Sequence, residues 1–358
     1  MPAAGSQAAT CRTRGSRSPG ILVPRFSPAV PTQVFDSYWS FATERQAIFF
    51  KRFHGAPPPW TSDPVLNEYK FTNAYRASDR VSQYLIRHVI YQGDMSPAEV
   101  FFRTLLFKLF NRIDTWELLS ERLGPPTFRR YRFDRYDDVL SRALASGKRI
   151  YSAAYIMPSG GGRAGTQRKH TMHLRLLERM MSDRLYERIA KSRSMGQAFE
   201  NLRTYPTIGD FLAYQYVTDL NYGPLTDFTE MEFVVPGPGS LSGVGKCFAN
   251  LGGLTEGEII KWVAERQSDE FQARGLPFQT LWGRPLQLID CQNLFCEVDK
   301  YARVVHPTFT AAQGRTRIKQ RYRLNTGQID YWYPPKWGLN DKIRDGEKHV
   351  HGVQRKDG

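Results

Sequence analysis

Apolar residues recur at intervals of three and four along most of the chain, the period of a helix with one buried face. The pattern is clearest in Phe35-Asp-Ser-Tyr-Trp-Ser-Phe-Ala-Thr-Glu-Arg-Gln-Ala-Ile-Phe-Phe50, then in Val100–Phe110, Phe211–Val217 and Ile259–Ala264. Helix-start signals precede several of these runs. Asp63-Pro64 pairs an N-cap with a proline at the first helical position. Ser96-Pro-Ala-Glu99, Thr207-Ile-Gly-Asp210 and Thr255-Glu-Gly-Glu258 read as capping boxes, in which two side chains satisfy orphan amides at a helix start. Asp227-Phe-Thr-Glu230 reads as another, ahead of a short helical turn. Strand-like alternation is rare; Arg149–Ile156 is the best candidate and reads equally well as a buried connector. The pattern predicts a mostly α protein.

The same reading divides the chain in three. Residues 1–33 hold no acidic residue, carry Arg12, Arg14, Arg17 and Arg25, and predict a disordered basic arm. The arm has neither the apolar stretch of a secretory signal nor the amphipathic face of a transit peptide. Residues 34–310 form a helical body, with a flexible loop at Ser159-Gly-Gly-Gly-Arg-Ala-Gly165 and a charged helix over Thr171–Lys191. Residues 311–358 form a basic, aromatic extension. In it Arg315, Arg317, Lys319, Arg321 and Arg323 alternate with other residues, followed by Tyr331-Trp-Tyr-Pro-Pro-Lys-Trp337 and a disordered tail.

Composition adds a partner. The 358 residues carry a net charge of +15. Lysine and arginine in such excess displace counterions from phosphates, so a nucleic acid, DNA, is the expected partner. Aromatic residues make up 13% of the chain and suit both a large core and base stacking. No apolar run approaches the roughly 18 residues of a membrane span, and no membrane role is expected. Cys11, Cys247, Cys291 and Cys296 form no CxxC pair and predict reduced thiols in an intracellular protein of the cytoplasm, nucleoid or nucleus. His170 and His173 lack an HExxH context, and neither a metal nor a cofactor is expected.

Val235-Pro-Gly-Pro-Gly-Ser-Leu-Ser-Gly-Val-Gly-Lys246 is the first candidate for chemistry. It imitates a nucleotide P-loop, but Ser240 stands where the first glycine is needed and Cys247 where a hydroxyl must reach Mg²⁺. Leu241-Ser-Gly-Val-Gly-Lys246 fits instead the hydrophobic-x-Gly-hydrophobic-Gly-basic pattern of a helix-hairpin-helix. There Gly237, Gly239, Gly243 and Gly245 would let backbone amides approach a DNA phosphate beside Lys246. A tight interhelical turn without a ligand is the alternative.

Leu288–Arg303 is the second. Asp290, Asn293 and Glu297 share one helical face, with Asp299, Lys300 and Arg303 on the neighbouring one. A carboxylate downstream of such a hairpin is where base-excision enzymes place an electrostatic catalyst. A solvated charged helix with an Asp299–Arg303 pair is the alternative. Arg76 and Arg80, with Asp79 between them, suit a phosphate clamp or an ion-paired surface. Gln215, Asp219, Asn221 and Tyr222 can read and stack on a flipped base, or serve as ordinary buried hydrogen-bonding groups.

Phe71-Thr-Asn-Ala-Tyr-Arg-Ala-Ser-Asp-Arg-Val-Ser-Gln-Tyr84, Phe102–Trp116, Asp219-Leu-Asn-Tyr222, the Val-Pro-Gly-Pro-Gly stretch and Cys296-Glu-Val-Asp-Lys-Tyr-Ala-Arg303 carry a resemblance. Over about Phe35–Pro307 the chain resembles the helical domain of 5-hydroxymethyluracil DNA kinases. It also resembles that domain's stand-alone form, the alpha-glutamyl/putrescinyl thymine pyrophosphorylases or amino acid:DNA transferases. The resemblance implies a helix-hairpin-helix DNA-glycosylase-like fold and work on hypermodified thymine in DNA. It implies replacement of the diphosphate of 5-(diphosphooxymethyl)uracil by an amine, with an amino acid or polyamine as second substrate. On that reading Arg76, Arg80 and Lys300 meet the diphosphate, Asp290 or Glu297 serves the reacting methylene or amine, and Asn221 and Tyr222 hold the base. Asp299 joins the catalytic candidates, and Arg303 the phosphate contacts. A DNA glycosylase and a non-catalytic reader of modified DNA are the alternatives.

Overall fold

Thr32 begins the helical body: its hydroxyl accepts from the Val34 amide and caps helix α1, Gln33–Phe53. The computed structural model describes residues 29–153, 168–309, 316–325, 327 and 329–344. The expected arm up to residue 28, the glycine loop at 159–165, Arg315 and the tail from 345 lie outside them. Just before α1, β1 (Val30–Pro31) pairs antiparallel with β2 (Phe248–Asn250), Val30 opposite Asn250. Helices supply nearly all other regular structure, as the apolar period requires.

The helices fall into two packed groups. In one, α1 lies against α11 (Pro238–Cys247) and α13 (Leu288–Val305), and its Phe35 and Trp39 rings meet Trp262 and Phe271 of α12 (Glu256–Ala273). Its core is aromatic, with Tyr38 and Trp39 wholly buried and Tyr38 in ring contact with Phe295. In the other, α4 (Pro97–Phe110) is the central rod, with α7 (Lys169–Ser182), α8 (Leu185–Ala190) and α10 (Asp210–Asn221) packed around it. Helix α9 (Met195–Arg203) backs α8 and α10, while α5 (Ile113–Leu123) and α6 (Phe133–Ala145) close the far side. From Glu99 to Phe110 every α4 residue is buried, so this helix has no solvent face. Between the groups run α2 (Pro64–Glu68), the loop 70–79 and α3 (Arg80–Tyr84), which continues as a π-helical turn over Leu85–Ile90.

Several local expectations change. Asp63 caps α2 through the Val65 and Leu66 amides, and Thr255 with Glu258 forms a true capping box on α12. Ser96 makes no side-chain cap bond, because Glu99 is turned inward to accept from the Phe128 and Arg129 amides. Thr207 adopts a φ of 69° and leaves Gly209 to cap α10. Asp227 starts no helix: a bare turn at 230–231 follows it, and Glu230 pairs with Arg284. The helix expected over 171–191 breaks between α7 and α8 at Arg184, whose φ is 51°. Residues 149–153 are a connector held by Ile150, whose carbonyl accepts from Thr115.

The glycine stretch is the largest departure. Pro238–Cys247 is a helix, with Gly239, Gly243 and Gly245 inside it and the next helix starting only at Glu256. The expected hairpin turn is not formed there. A Cβ on Gly243 would lie 2.0 Å from the Phe295 carbonyl oxygen, and one on Gly239 2.9 Å from Cys296 Sγ. These two glycines remove side chains where α11 crosses α13. The extension beyond 311 is also more than a tail: Tyr331, Tyr333, Leu339 and Ile343 are buried in the core.

Candidate active site at the seam of the two helical groups

Arg76 is the residue on which the two groups converge. It lies in a short 3₁₀ turn, Arg76–Ser78, is 2% exposed, and points inward. Its Nε donates to Gln215 Oε1 at 3.1 Å. One terminal nitrogen donates to Asp219 Oδ1 at 2.8 Å and to the Tyr222 hydroxyl at 2.9 Å. Its own amide donates to Asp290 Oδ1 at 2.8 Å. The partners come from both sides of the seam, Gln215 and Asp219 on α10 and Asp290 on α13. Lys108 of α4 adds a second cation, 3.1 Å from Asp219 Oδ2.

The charges are set by burial and pairing. Burial alone would raise the Asp219 carboxyl, but Arg76 and Lys108 hold it below its ordinary range. Burial pushes Lys108 down to about 8, with Asp219 opposing, so the ammonium still keeps its proton at neutral pH. Asp290 differs. Burial raises its carboxyl to about 7, and the amides of Gln287 and Arg76 only partly oppose this. Its Oδ2 accepts from Gln287 at 3.0 Å and caps α13, so a backbone pair holds a carboxyl that exchanges a proton near neutrality.

Sequence reasoning missed part of this site. Glu230 is buried, its carboxyl raised by burial against Arg284, and it lies 2.8 Å from that guanidinium. Arg284 stacks over the Trp337 ring at 3.8 Å, and Trp337 meets Tyr222 edge-on at 5.6 Å between centroids. Lys336 donates to the Thr226 carbonyl at 2.6 Å. Tyr333, wholly buried, is 2.7 Å from Ser78 Oγ. The run Tyr331–Trp337 was legible as aromatic, but nothing in its spacing said that it returns to the loop carrying Arg76.

The remaining candidates lie elsewhere. Asn221 does not face a base: its Oδ1 accepts from Thr226 and the Phe228 amide and pins the loop after α10. Gln215, Asp219, Asn221 and Tyr222 are all 1% exposed or less. Glu297 accepts from the Thr72 amide at 3.1 Å and pairs with Lys300 at 2.6 Å. This places both beside loop 70–79, where burial raises Asp79 to about 7. Asp299 accepts from Ser242 at 2.7 Å, from Lys246 at 3.0 Å and from Arg303. Ser242 and Lys246 tie α11 to α13 through it, and Lys246 is 2% exposed, so it faces no outside phosphate. Gly237 lies against the Phe211 ring, and only open space borders Gly245. Arg80 is exposed at the start of α3.

Two further observations bound the site. An open cleft of about 420 Å³ is lined by Arg87, Trp332, Asn340 and Arg344 among others, and by none of the candidate residues. Among the described residues no helix is long and apolar enough to cross a membrane.

Comparison with known proteins agrees with the resemblance read from the sequence. A family described as 5-hmdU DNA kinase, helical domain, matches residues 32–311. A 5-hmdU DNA kinase of Bacillus phage SP10 is 27% identical over 332 residues, covering 87% of this chain and 51% of the relative. The chain therefore spans about half the length of that relative. No solved structure matches it.

Proposed function

This chain belongs to the family of the 5-hmdU DNA kinase helical domain, and from that premise we propose that it modifies 5-hydroxymethyluracil-derived bases in DNA. The finer reading is that it replaces the diphosphate of 5-(diphosphooxymethyl)uracil with an amine. The observation that carries it is Asp290, a buried carboxyl raised to about 7 and bonded to the main chain of Arg76.

In the proposed step the bond from the exocyclic methylene to the diphosphate oxygen breaks, and diphosphate leaves with the electron pair. The amine nitrogen bonds to the methylene, and its surplus proton passes to Asp290. A base that titrates near the working pH suits this transfer. Arg76 is committed to Asp219, Gln215 and Tyr222. Charge on the departing diphosphate therefore falls to cations nearer the surface, Arg80 and Arg284, the latter by giving up its pairing with Glu230. The uracil ring enters at the half-buried Trp337 and takes the place of the Arg284 guanidinium over that ring, with buried Tyr222 supporting Trp337 from behind. Asp219 and Lys108 act behind Arg76 as positioning groups that fix the loop.

The test is incubation of the protein with duplex DNA carrying 5-(diphosphooxymethyl)uracil and a mixture of amino acids and polyamines, followed by nucleoside mass spectrometry. The expected result is a new amine-substituted nucleoside and one diphosphate released per product. Free base with an abasic site would make it a glycosylase. Tight binding without either product would make it a reader.

A further inference from the structure

The sequence singles out the alternating cations of the extension, and the seam site leaves them without a role. Residues 316–325 pass beside the end of α2 and are extended where Arg321 bridges Tyr69 in antiparallel sense: the Lys70 amide donates to the Gln320 carbonyl at 3.0 Å, and the Tyr322 amide to the Glu68 carbonyl at 2.9 Å. Side chains anchor both ends. Arg303 donates to the Arg317 carbonyl and Arg52 to the Asn325 carbonyl, each at 3.1 Å.

The alternation sorts the middle of the segment by face, while Gln320 and Leu324 are exposed as well. Ile318 and Tyr322 are half-buried against the core. Arg317, Lys319, Arg321 and Arg323 are exposed. Arg321 pairs with Glu68 and lies over the Tyr69 ring at 4.8 Å. Among the described residues Arg317, Lys319 and Arg323 have no ion-pair partner.

We propose that segment 316–325 is a strip that grips the DNA backbone. Alternate residues of an extended chain are roughly 6.6–6.8 Å apart, so the four cations span about 20 Å. One strand of a duplex presents a phosphate every ~3.4 Å of axis over that length, enough to engage all of them. Backbone bonds hold the segment at Gln320 and Tyr322, so binding DNA has to order the exposed side chains but not the backbone there. It is also well placed. The chain that pairs with it at 68–70 runs on into the loop that delivers Arg76 to the seam. The strip lies just beyond residues 32–311, the part that the family model matches. The inference rests on DNA being the substrate.

The experiment is fluorescence anisotropy of an unmodified duplex against salt, using the full chain. The wild type is compared with Arg317→Gln/Lys319→Gln/Arg323→Gln, and with a control of equal charge change, Arg142→Gln/Arg175→Gln/Arg179→Gln. All these side chains are exposed, so melting temperatures should hold. The strip variant is expected to bind at least about tenfold more weakly, with a log K against log salt slope shallower by about 3, while the control keeps the slope. A strip variant with the wild-type slope overturns the strip and leaves the proposed function standing. So does loss of binding to anionic vesicles alone. A wild type that binds no DNA at any salt overturns the proposed function with it.

Discussion

Asp290 and Asp299 sit on one helix, are buried to a similar degree, and are held in opposite states. Asp299 faces Ser242, Lys246 and Arg303; burial alone would raise it, but these bonds keep it below its ordinary range. Asp290 is met by two backbone amides, and burial wins, raising it to about 7. Solvent exposure does not separate the two: Asp290 lies deeper among other atoms, and the two have different partners. A carboxyl given side-chain cations becomes a fixed charge that joins two helices. One given only amide dipoles stays poised to exchange a proton. Motif reading had put both in one catalytic group; their partners divide them into a staple and a base.

The comparison breaks most visibly at the staple. Asp299→Asn leaves Lys246 buried without a counter-charge and is expected to cost about 3–5 kcal/mol in urea unfolding. The helix contact that the staple secures comes next. Gly243→Ala drives a Cβ into the Phe295 backbone and is expected to cost about 3 kcal/mol, at the upper end for overpacking. Gly245→Ala, bordered by open space in the same helix, should instead gain up to about 1 kcal/mol. If both glycines behave alike, close packing is not why the stretch is glycine-rich.

A separate effect lies in pH dependence. Asp290 is raised in the folded protein, so between about pH 4 and 7 the folded state holds more protons and stability falls as pH rises. Asp299 and Asp219 have the opposite sign: their contribution is complete above about pH 4 and is lost as pH falls further. Asp290→Asn should flatten the fall between pH 4 and 7 by up to about 1.4 kcal/mol per pH unit. The remainder belongs to Asp79 and Glu230, which burial also raises. Unfolding free energies at several pH values check this; an unchanged slope means that Asp290 is already ionised at low pH.

Helix identity was legible because the apolar period of α1, α4, α10, α12 and α13 is a local property. The convergence of Arg76, Gln215, Asp219, Tyr222 and Asp290 was only half legible. Each residue was named, but with Arg76 reaching outward to phosphate, since a sequence does not show which way a buried arginine turns. Glu230 read only as a helix-capping residue and Arg284 carried no signal, the two being single charges 54 residues apart. The glycine stretch misled because a turn that needs glycine for its backbone and a helix crossing that needs it for space produce the same letters.

The most direct test of the division between base and staple is turnover per folded molecule for Asp290→Asn and Asp299→Asn, measured by nucleoside mass spectrometry at a temperature where both are folded. The account predicts that Asp290→Asn loses product by about a hundredfold or more while still binding DNA. It predicts that Asp299→Asn, though less stable, keeps wild-type turnover within a few fold. Full turnover in Asp290→Asn, or loss of turnover confined to Asp299→Asn, contradicts it.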